Sequence, residues 1–225
     1  MSIAAFILCR KNSKRLPDKN TKELCGKPLI CWTIDSAIES GVIDTLIVGT
    51  DDERIKEICD NYVYYDDINS KLKIQIIDLP NYLTVDNAPQ TEALLYCMDQ
   101  IEKHDYICLL QVTSPLRDIK DFEFLEFIGA IDGLLPPMDR IGQYNNYLSI
   151  QSKSNNSKYK DKCNGAFYVT WWDMFYRNRE FPLPCYDLEM PEERSIDIDT
   201  EFDFKIAEML MKERLNKIPD SVKSK

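Results

Sequence analysis

Short apolar runs alternate with amphipathic stretches along the chain, the rhythm of strands that cross over through helices. Ile3–Cys9 is continuously apolar and predicts a buried first strand. A polar loop follows. Pro28 suits a helix start, Leu29, Trp32, Ile34 and Ile38 recur on one helical face, and Gly41 marks the stop. Thr45–Val48 reads as the second strand, and Thr50-Asp51-Asp52-Glu53 as a capping box opening a helix to about Asn61. A third strand is predicted over Lys73–Ile77 and a helix over Glu92–Glu102. Tyr106–Gln111 has the unbroken apolar character of a strand buried on both faces, ended by Ser114-Pro115, with a helix starting near Asp118. Ile131–Leu135 has the character of a further short strand. Apolar structure returns at Gly165–Thr170, and Thr200 with Asp203 caps a last helix to about Leu215, with a frayed tail from Asn216.

Between Gln143 and Lys162 the character changes to four asparagines, four lysines and three tyrosines. That composition predicts a loop or a small projecting subregion. The whole reads as one domain over 1–225, a three-layer α/β fold with a mostly parallel sheet.

Charge narrows the function classes. A formal net charge of −10 opposes generic binding to nucleic acid or to anionic membranes, so an anionic ligand needs a local basic patch. The longest apolar run is too short to span a bilayer and precedes its basic cluster, the wrong order for a secretory signal. Eight cysteines form no C-x-x-C pair and no zinc spacing, which predicts reduced thiols in a cytoplasmic protein. The one histidine, His104, sits just before a strand, in a place for a helix-end surface role rather than for catalysis.

The basic patch exists. The loop after the first strand, Arg10 to Asn20, carries Arg10, Lys11, Lys14, Arg15 and Lys19 against Asp18 alone. In an open α/β sheet this loop lies at the carboxyl edge, where ligands bind; its cations can neutralise a triphosphate, and Ser13 can hydrogen-bond it. The alternative is a solvated surface run. The loop is not a P-loop, because G-x-x-x-x-G-K-[ST] is absent.

A second constellation is Ser195-Ile196-Asp197-Ile198-Asp199-Thr200. In an extended segment, alternation turns both aspartates to one face. Such a pair suits Mg²⁺, which takes oxygen ligands and bridges to substrate phosphates; an edge strand leading into an acid-rich helix start gives the same pattern. A third is Leu109 to Arg117, which brings Gln111, Thr113 and Arg117 to the same edge, with Asn164-Gly165 entering another strand. Gln111 can bond a sugar hydroxyl or a base, and Arg117 can pair with an anion. Each is, singly, also ordinary turn chemistry.

Together these residues resemble the acylneuraminate cytidylyltransferase family. The opening Arg10-x-x-Ser13-Lys14-x-x-Pro17-x-Lys19-Asn20 is similar to that family's signature, as are Leu24–Ile30, Val48–Asp52, Leu109–Arg117, Asn164–Ala166 and Ile196–Thr200, in the same order. The resemblance implies a Rossmann-like nucleotidyltransferase fold, a homodimer, and use of Mg²⁺, CTP and an acidic sugar. It implies that Arg10, Ser13, Lys14, Lys19 and Asn20 hold CTP, with Lys19 and Arg10 as the catalytic cations. It also implies that Gln111 faces the sugar or the nucleotide and that Asp197 and Asp199 carry the metal; Arg117 and Asn164, from their place at the same edge, are expected to join Gln111 in binding the sugar.

The chain departs from the family in having Lys11-Asn12 for Gly-Gly, Val112 for a proline, and Asp78-Leu79 where relatives place an arginine. Its segment before Asn164 is short, with Lys158, Lys160 and Lys162 in place of an arginine-rich stretch, as sugar-carboxylate ligands or as a solvated tether. Competing readings are a 3-deoxy-octulosonate cytidylyltransferase, suggested by Arg15-Leu16-Pro17, a nucleotidyltransferase for another sugar, and an inactive CTP-binding scaffold.

Overall fold

The computed structural model describes residues 1–62, 72, 74–125, 149–155, 163–182 and 185–217. Along the chain run β1 (Ile3–Leu8), the two-residue strands β2 (Glu23–Leu24) and β3 (Lys27–Pro28), α1 (Leu29–Ser40), β4 (Thr45–Thr50) and α2 (Glu53–Asp60). Then come β5 (Ile74–Asp78), α3 (Asn81–Thr84), α4 (Gln90–Met98), β6 (Tyr106–Leu109), β7 (Ser149–Ser154) and β8 (Cys163–Trp171). A helix Trp172–Asn178, β9 (Tyr186–Met190) and a C-terminal helix Glu201–Lys217 complete the order.

Seven strands form one sheet in the order β5-β4-β1-β6-β8-β7-β9. β1 pairs parallel with β4 and β6, β4 with β5, and β7 with β9; β8 alone runs against its neighbours. Alternation along β1 explains the three layers. Ile3, Ala5 and Ile7 pack with Leu29, Ile34 and Ala37 of α1 and with Phe204 and Met211 of the C-terminal helix. Ala4 and Phe6 face the opposite side, against Leu94 and Cys97 of α4 and against Trp172 and Phe175. Every side chain from Ile3 to Ile7 is buried, and each large apolar one contributes about 1.5–3 kcal/mol. The mostly parallel three-layer architecture is the one expected.

Local signals were read with small shifts. Asp52, not Thr50, caps α2, accepting from Arg54 N at 3.1 Å, while Thr50 Oγ1 accepts from Asp52 N. The last helix has the reciprocal cap foreseen: Asp203 Oδ2 accepts from Thr200 N at 2.8 Å, and Thr200 Oγ1 from Asp203 N at 3.3 Å. That helix continues through Asn216 to Lys217, so the fraying expected from Asn216 is not seen there.

One expectation is corrected. Within Gln143–Lys162, where the composition predicts a loop or a small projecting subregion, Ser149–Ser154 is an interior strand between β8 and β9. Its serines stand where apolar residues would, and Ser152 Oγ accepts from Phe167 N at 2.8 Å across a register shift, replacing a ladder bond. The strand proposed at Ile131–Leu135 and the lysines 158, 160 and 162 lie outside the described residues. No helix among the described residues is long and apolar enough to cross a membrane.

Candidate functional site

The order β5-β4-β1-β6 leaves a crevice beyond the carboxyl ends of β1 and β6, because their following connections leave in opposite directions. A cleft of about 590 Å³ opens there. It is lined by the basic loop from Arg10 to Asn20, by Gln111 and Thr113 after β6, by Asp197 and Asp199, and by Gln90 at the start of α4.

The basic loop is anchored at its middle by Leu16, its one large apolar residue, which is buried. Asp18 takes a left-handed φ of 53° and turns the chain into the short helix Lys19–Thr21. Asn20 Nδ2 donates to Arg10 O at 3.1 Å and closes the loop across its neck, while Lys11 N donates to Asp51 Oδ1 at 2.6 Å. Two acids flank its cations. Asp86 lies 2.6 Å from Lys14 and 3.6 Å from Arg10, whose Nη1 also donates to Val85 O at 3.0 Å. On the other side Asp199 lies 2.9 Å from Arg15 and 3.5 Å from Lys19. Lys19 Nζ further donates to Ile198 O at 2.9 Å and is largely buried, so its position is set from two sides. Asp78 pairs with Lys56 at 2.8 Å.

Between Asp197 and Asp199, Ile198 is fully buried, and its N–H donates to Thr113 O at 2.8 Å, which turns both carboxylates into the cleft. Burial raises the Asp197 pKa, with the Thr113 hydroxyl opposing; the Asp199 charge raises it further and Lys19 lowers it. Two mutually repelling carboxylates beside a cationic loop are a donor set that fits Mg²⁺. Among the described residues no group of three or more histidine, cysteine, aspartate or glutamate side chains could enclose a metal. A Mg²⁺ held by Asp197 and Asp199 would therefore need further oxygen ligands from outside this pair, as that ion usually has.

Asn164, Gly165 and Arg117 do not line the cleft; they build its wall. Asn164 is buried, donates to Ser195 Oγ at 3.1 Å and accepts from Ala166 N, so it ties the Ser195–Thr200 segment to β8. Gly165 has φ 75°, and a Cβ there would stand 2.3 Å from Gln111 Oε1. A glycine is required so that the Gln111 amide can lie against the main chain. Arg117, read as an anion ligand, is 1% exposed and gives its guanidinium to Ala166 O, Gln111 O and Ser36 Oγ, over the face of Phe167. Burial lowers its pKa to about 10, still cationic at neutral pH, but it is turned away from the cleft. Both Arg117 and Asn164 thus act behind the surface that a sugar would touch.

A smaller pocket of about 180 Å³ adjoins the cleft at Gln90, lined by Leu94, Leu109, Tyr168 and Phe181. Sequence reading passed over Gln90, Tyr168 and Phe181. The readable signal was alternation along β8, which sets Tyr168 on the opposite face from Phe167 and Val169. His104, expected at a helix end, instead lies past the end of α4, half-buried, 2.9 Å from Thr45 Oγ1 and stacked on Trp172. All eight cysteines are free thiols, with burial pushing Cys97 and Cys108 up to about 12, far from reactive.

A family model for cytidylyltransferases matches residues 4–71. The CMP-N,N'-diacetyllegionaminic acid synthase of Legionella pneumophila is 32% identical over 94% of this chain and 97% of its own. The N-acylneuraminate cytidylyltransferase of Streptococcus agalactiae serotype III is 30% identical over 91% of this chain, which spans about half (52%) of that relative's length. Among solved structures, a CMP:2-keto-3-deoxy-manno-octonic acid synthetase complexed with CTP superposes with TM-score 0.64 at 17% identity, over 95% of this chain and all of that one, a likeness of fold. With a relative 32% identical from end to end, and with the signature residues gathered around one cleft, the chain belongs to the acylneuraminate cytidylyltransferase family.

Proposed function

We propose that this protein transfers CMP from CTP to an acidic sugar of the nonulosonic class, with release of pyrophosphate. The observation that carries the reading is the meeting of two charged walls in one cleft: a loop of cations faces two carboxylates, and Lys19 of that loop reaches Asp199 and the Ile198 carbonyl. A triphosphate laid between them finds Arg10, Lys14 and Lys19 within the reach of its oxygens, and Ser13 and Asn20 as neutral partners. The sugar hydroxyl attacks the α-phosphorus, the bond from that phosphorus to the β-phosphate oxygen breaks, and pyrophosphate leaves. Such a reaction asks for alignment and charge neutralisation rather than covalent catalysis.

Lys19, held on Ile198 O, stands where charge grows on the phosphoryl oxygens, and Arg10 and Lys14 exchange Asp86 for the departing pyrophosphate. Mg²⁺ on Asp197 and Asp199 supplies Lewis-acid neutralisation of the phosphates when bound. Gln111 offers its amide to the sugar, and the pocket at Tyr168 and Phe181 receives the sugar's less polar substituents. The names of the relatives support an acidic nine-carbon sugar. The working form is proposed as a cytoplasmic homodimer, with the eight free thiols supporting a reducing compartment.

Pyrophosphate release with CTP and Mg²⁺ across nine-carbon and eight-carbon acidic sugars, with UTP and ATP as controls, tests the reading. Release with CTP and one nine-carbon sugar is expected. Release only with an eight-carbon sugar transfers the assignment to the octulosonate class. CTP binding without release across the panel leaves a nucleotide-binding scaffold.

A further inference from the structure

The β6–β8 ladder stops two residues short of Gln111. Pairing ends at Leu109 opposite Tyr168, and the same register carried two residues further sets Gln111 opposite Ala166. Beyond the ladder, Gln111 O accepts a long main-chain bond from Ser114 N at 3.4 Å, and a buried acceptor without a good partner is costly. Arg117 fills the gap: Nε donates to Ala166 O at 3.0 Å, Nη2 to Gln111 O at 3.1 Å, and Nη1 reaches Ser36 Oγ of α1 at 3.4 Å. The ring of Phe167 lies 5.1 Å beneath the guanidinium. Asp121, whose field acts on Arg117, spends its own carboxylate on Arg194 at 2.8 Å. Main-chain oxygens, not a counter-ion, hold this cation. A planar fork with fixed donor directions is the side chain that can bridge them.

The turn that carries Arg117 is itself clamped from behind. Arg214 of the C-terminal helix donates to Leu116 O and Arg117 O and pairs with Asp118 at 2.7 Å. In front, the Gln111 side chain lies so close to Gly165 that a Cβ would stand 2.3 Å from its oxygen. Spreading of the two strand ends by a fraction of an ångström therefore moves the Gln111 amide out of register with the cleft.

We propose that Arg117 is a positioning residue for the sugar side of the cleft, clamping the main chain of Gln111 to that of Ala166 and so fixing the Gln111 amide. The inference rests on the reading above in which Gln111 meets the sugar.

The test compares Arg117→Lys, Arg117→Met, Gln111→Ala and the double variant Arg117→Lys/Gln111→Ala by pyrophosphate release, with each protein's melting temperature recorded. In either Arg117 variant the KM for sugar rises at least about tenfold while the KM for CTP stays within about twofold. The double variant is no worse than Gln111→Ala, because the clamp acts through Gln111. Arg117→Lys with wild-type sugar KM, or a double variant whose losses multiply, overturns the proposal.

Where the Arg117 variants fail to fold, the wild-type chain serves. The Arg117 Nε–H resonance shifts on adding sugar and not on adding CTP alone; no response to saturating sugar overturns the clamp. A wild type inactive with every acidic sugar sinks the reaction reading instead. The clamp is then judged by the Gln111 side-chain amide resonances of the free proteins, which Arg117→Lys must displace if it is correct.

Discussion

Gly165→Ala separates a strain on the backbone from a displacement in the site. The residue sits at φ 75°, where a side chain costs an L-amino acid about 1–2 kcal/mol. For a chain of this size each kcal/mol lowers the melting temperature by about 2–4 °C, so a fall of about 2–8 °C is expected. The second effect is local. The new Cβ would lie 2.3 Å from Gln111 Oε1 and 3.1 Å from its Cδ, and ordinary contact begins near 3.4 Å. The amide must therefore retreat by about 1 Å, a misplacement that costs on the order of 10²-fold in rate when the group orients a substrate.

The assay is pyrophosphate release at a temperature where the variant is fully folded, with sugar and CTP varied separately. A drop of about 10²-fold in kcat/KM for sugar is expected, with the KM for CTP within about twofold. The control is Gly165→Ala in a Gln111→Ala background, where it adds loss of stability but little further loss of rate. A folded Gly165→Ala enzyme within about threefold of wild type would refute the placement of Gln111 against the sugar.

Lys19→Ala lowers turnover on the order of 10²-fold while the sugar KM moves less, because the ammonium is fixed beside growing phosphate charge; unchanged turnover with a raised sugar KM contradicts this. Asp199→Asn keeps its far-ultraviolet circular dichroism but loses Mg²⁺-dependent turnover, and near wild-type rates at saturating Mg²⁺ would end its assignment as a metal ligand. Asp52→Ala removes the α2 cap and destabilises by about 1 kcal/mol at pH 7. The Arg54 guanidinium holds the Asp52 carboxyl below its ordinary value of 3.8, so its contribution is present above about pH 4 and lost as pH falls through the folded value. Urea midpoints of wild type and variant then converge in acid; an equal gap at pH 7 and pH 3 would show that ionisation is irrelevant.

Elements with strong periodicity were legible because each signal is local. The apolar run of β1, the Gly41 stop and the Thr200–Asp203 cap need no knowledge of what lies across the fold. β7 was hidden because its buried positions are Ser149, Ser152 and Ser154 rather than an apolar stripe, and the Ser152 hydroxyl bonds the main chain of the neighbouring Phe167. The helix Trp172–Asn178 went unread because it follows β8 with no intervening turn. Around the cleft, residue types announced the basic loop, Gln111 and the two aspartates. They could not say that Arg117 points inward, because an arginine beside a strand end has the same sequence whether it meets a ligand or two carbonyls. Gln90, Tyr168 and Phe181 were missed for a related reason, since the pocket they share draws on three segments distant in the chain.

The contact of Lys19 with Asp199 joins positions 180 residues apart. It has a consequence for how the chain reaches its working form. Nothing in the first strand and loop can offer the cation site until the Ser195–Thr200 segment and its helix have docked, so the site is among the last features to assemble. A nucleotide that needs both walls binds the finished chain and no partly folded precursor, and by mass action it stabilises that state in proportion to its concentration. Arrested chains ending before Ser195 should emerge with a basic loop and no triphosphate site, which makes nucleotide capture a reporter of completed folding.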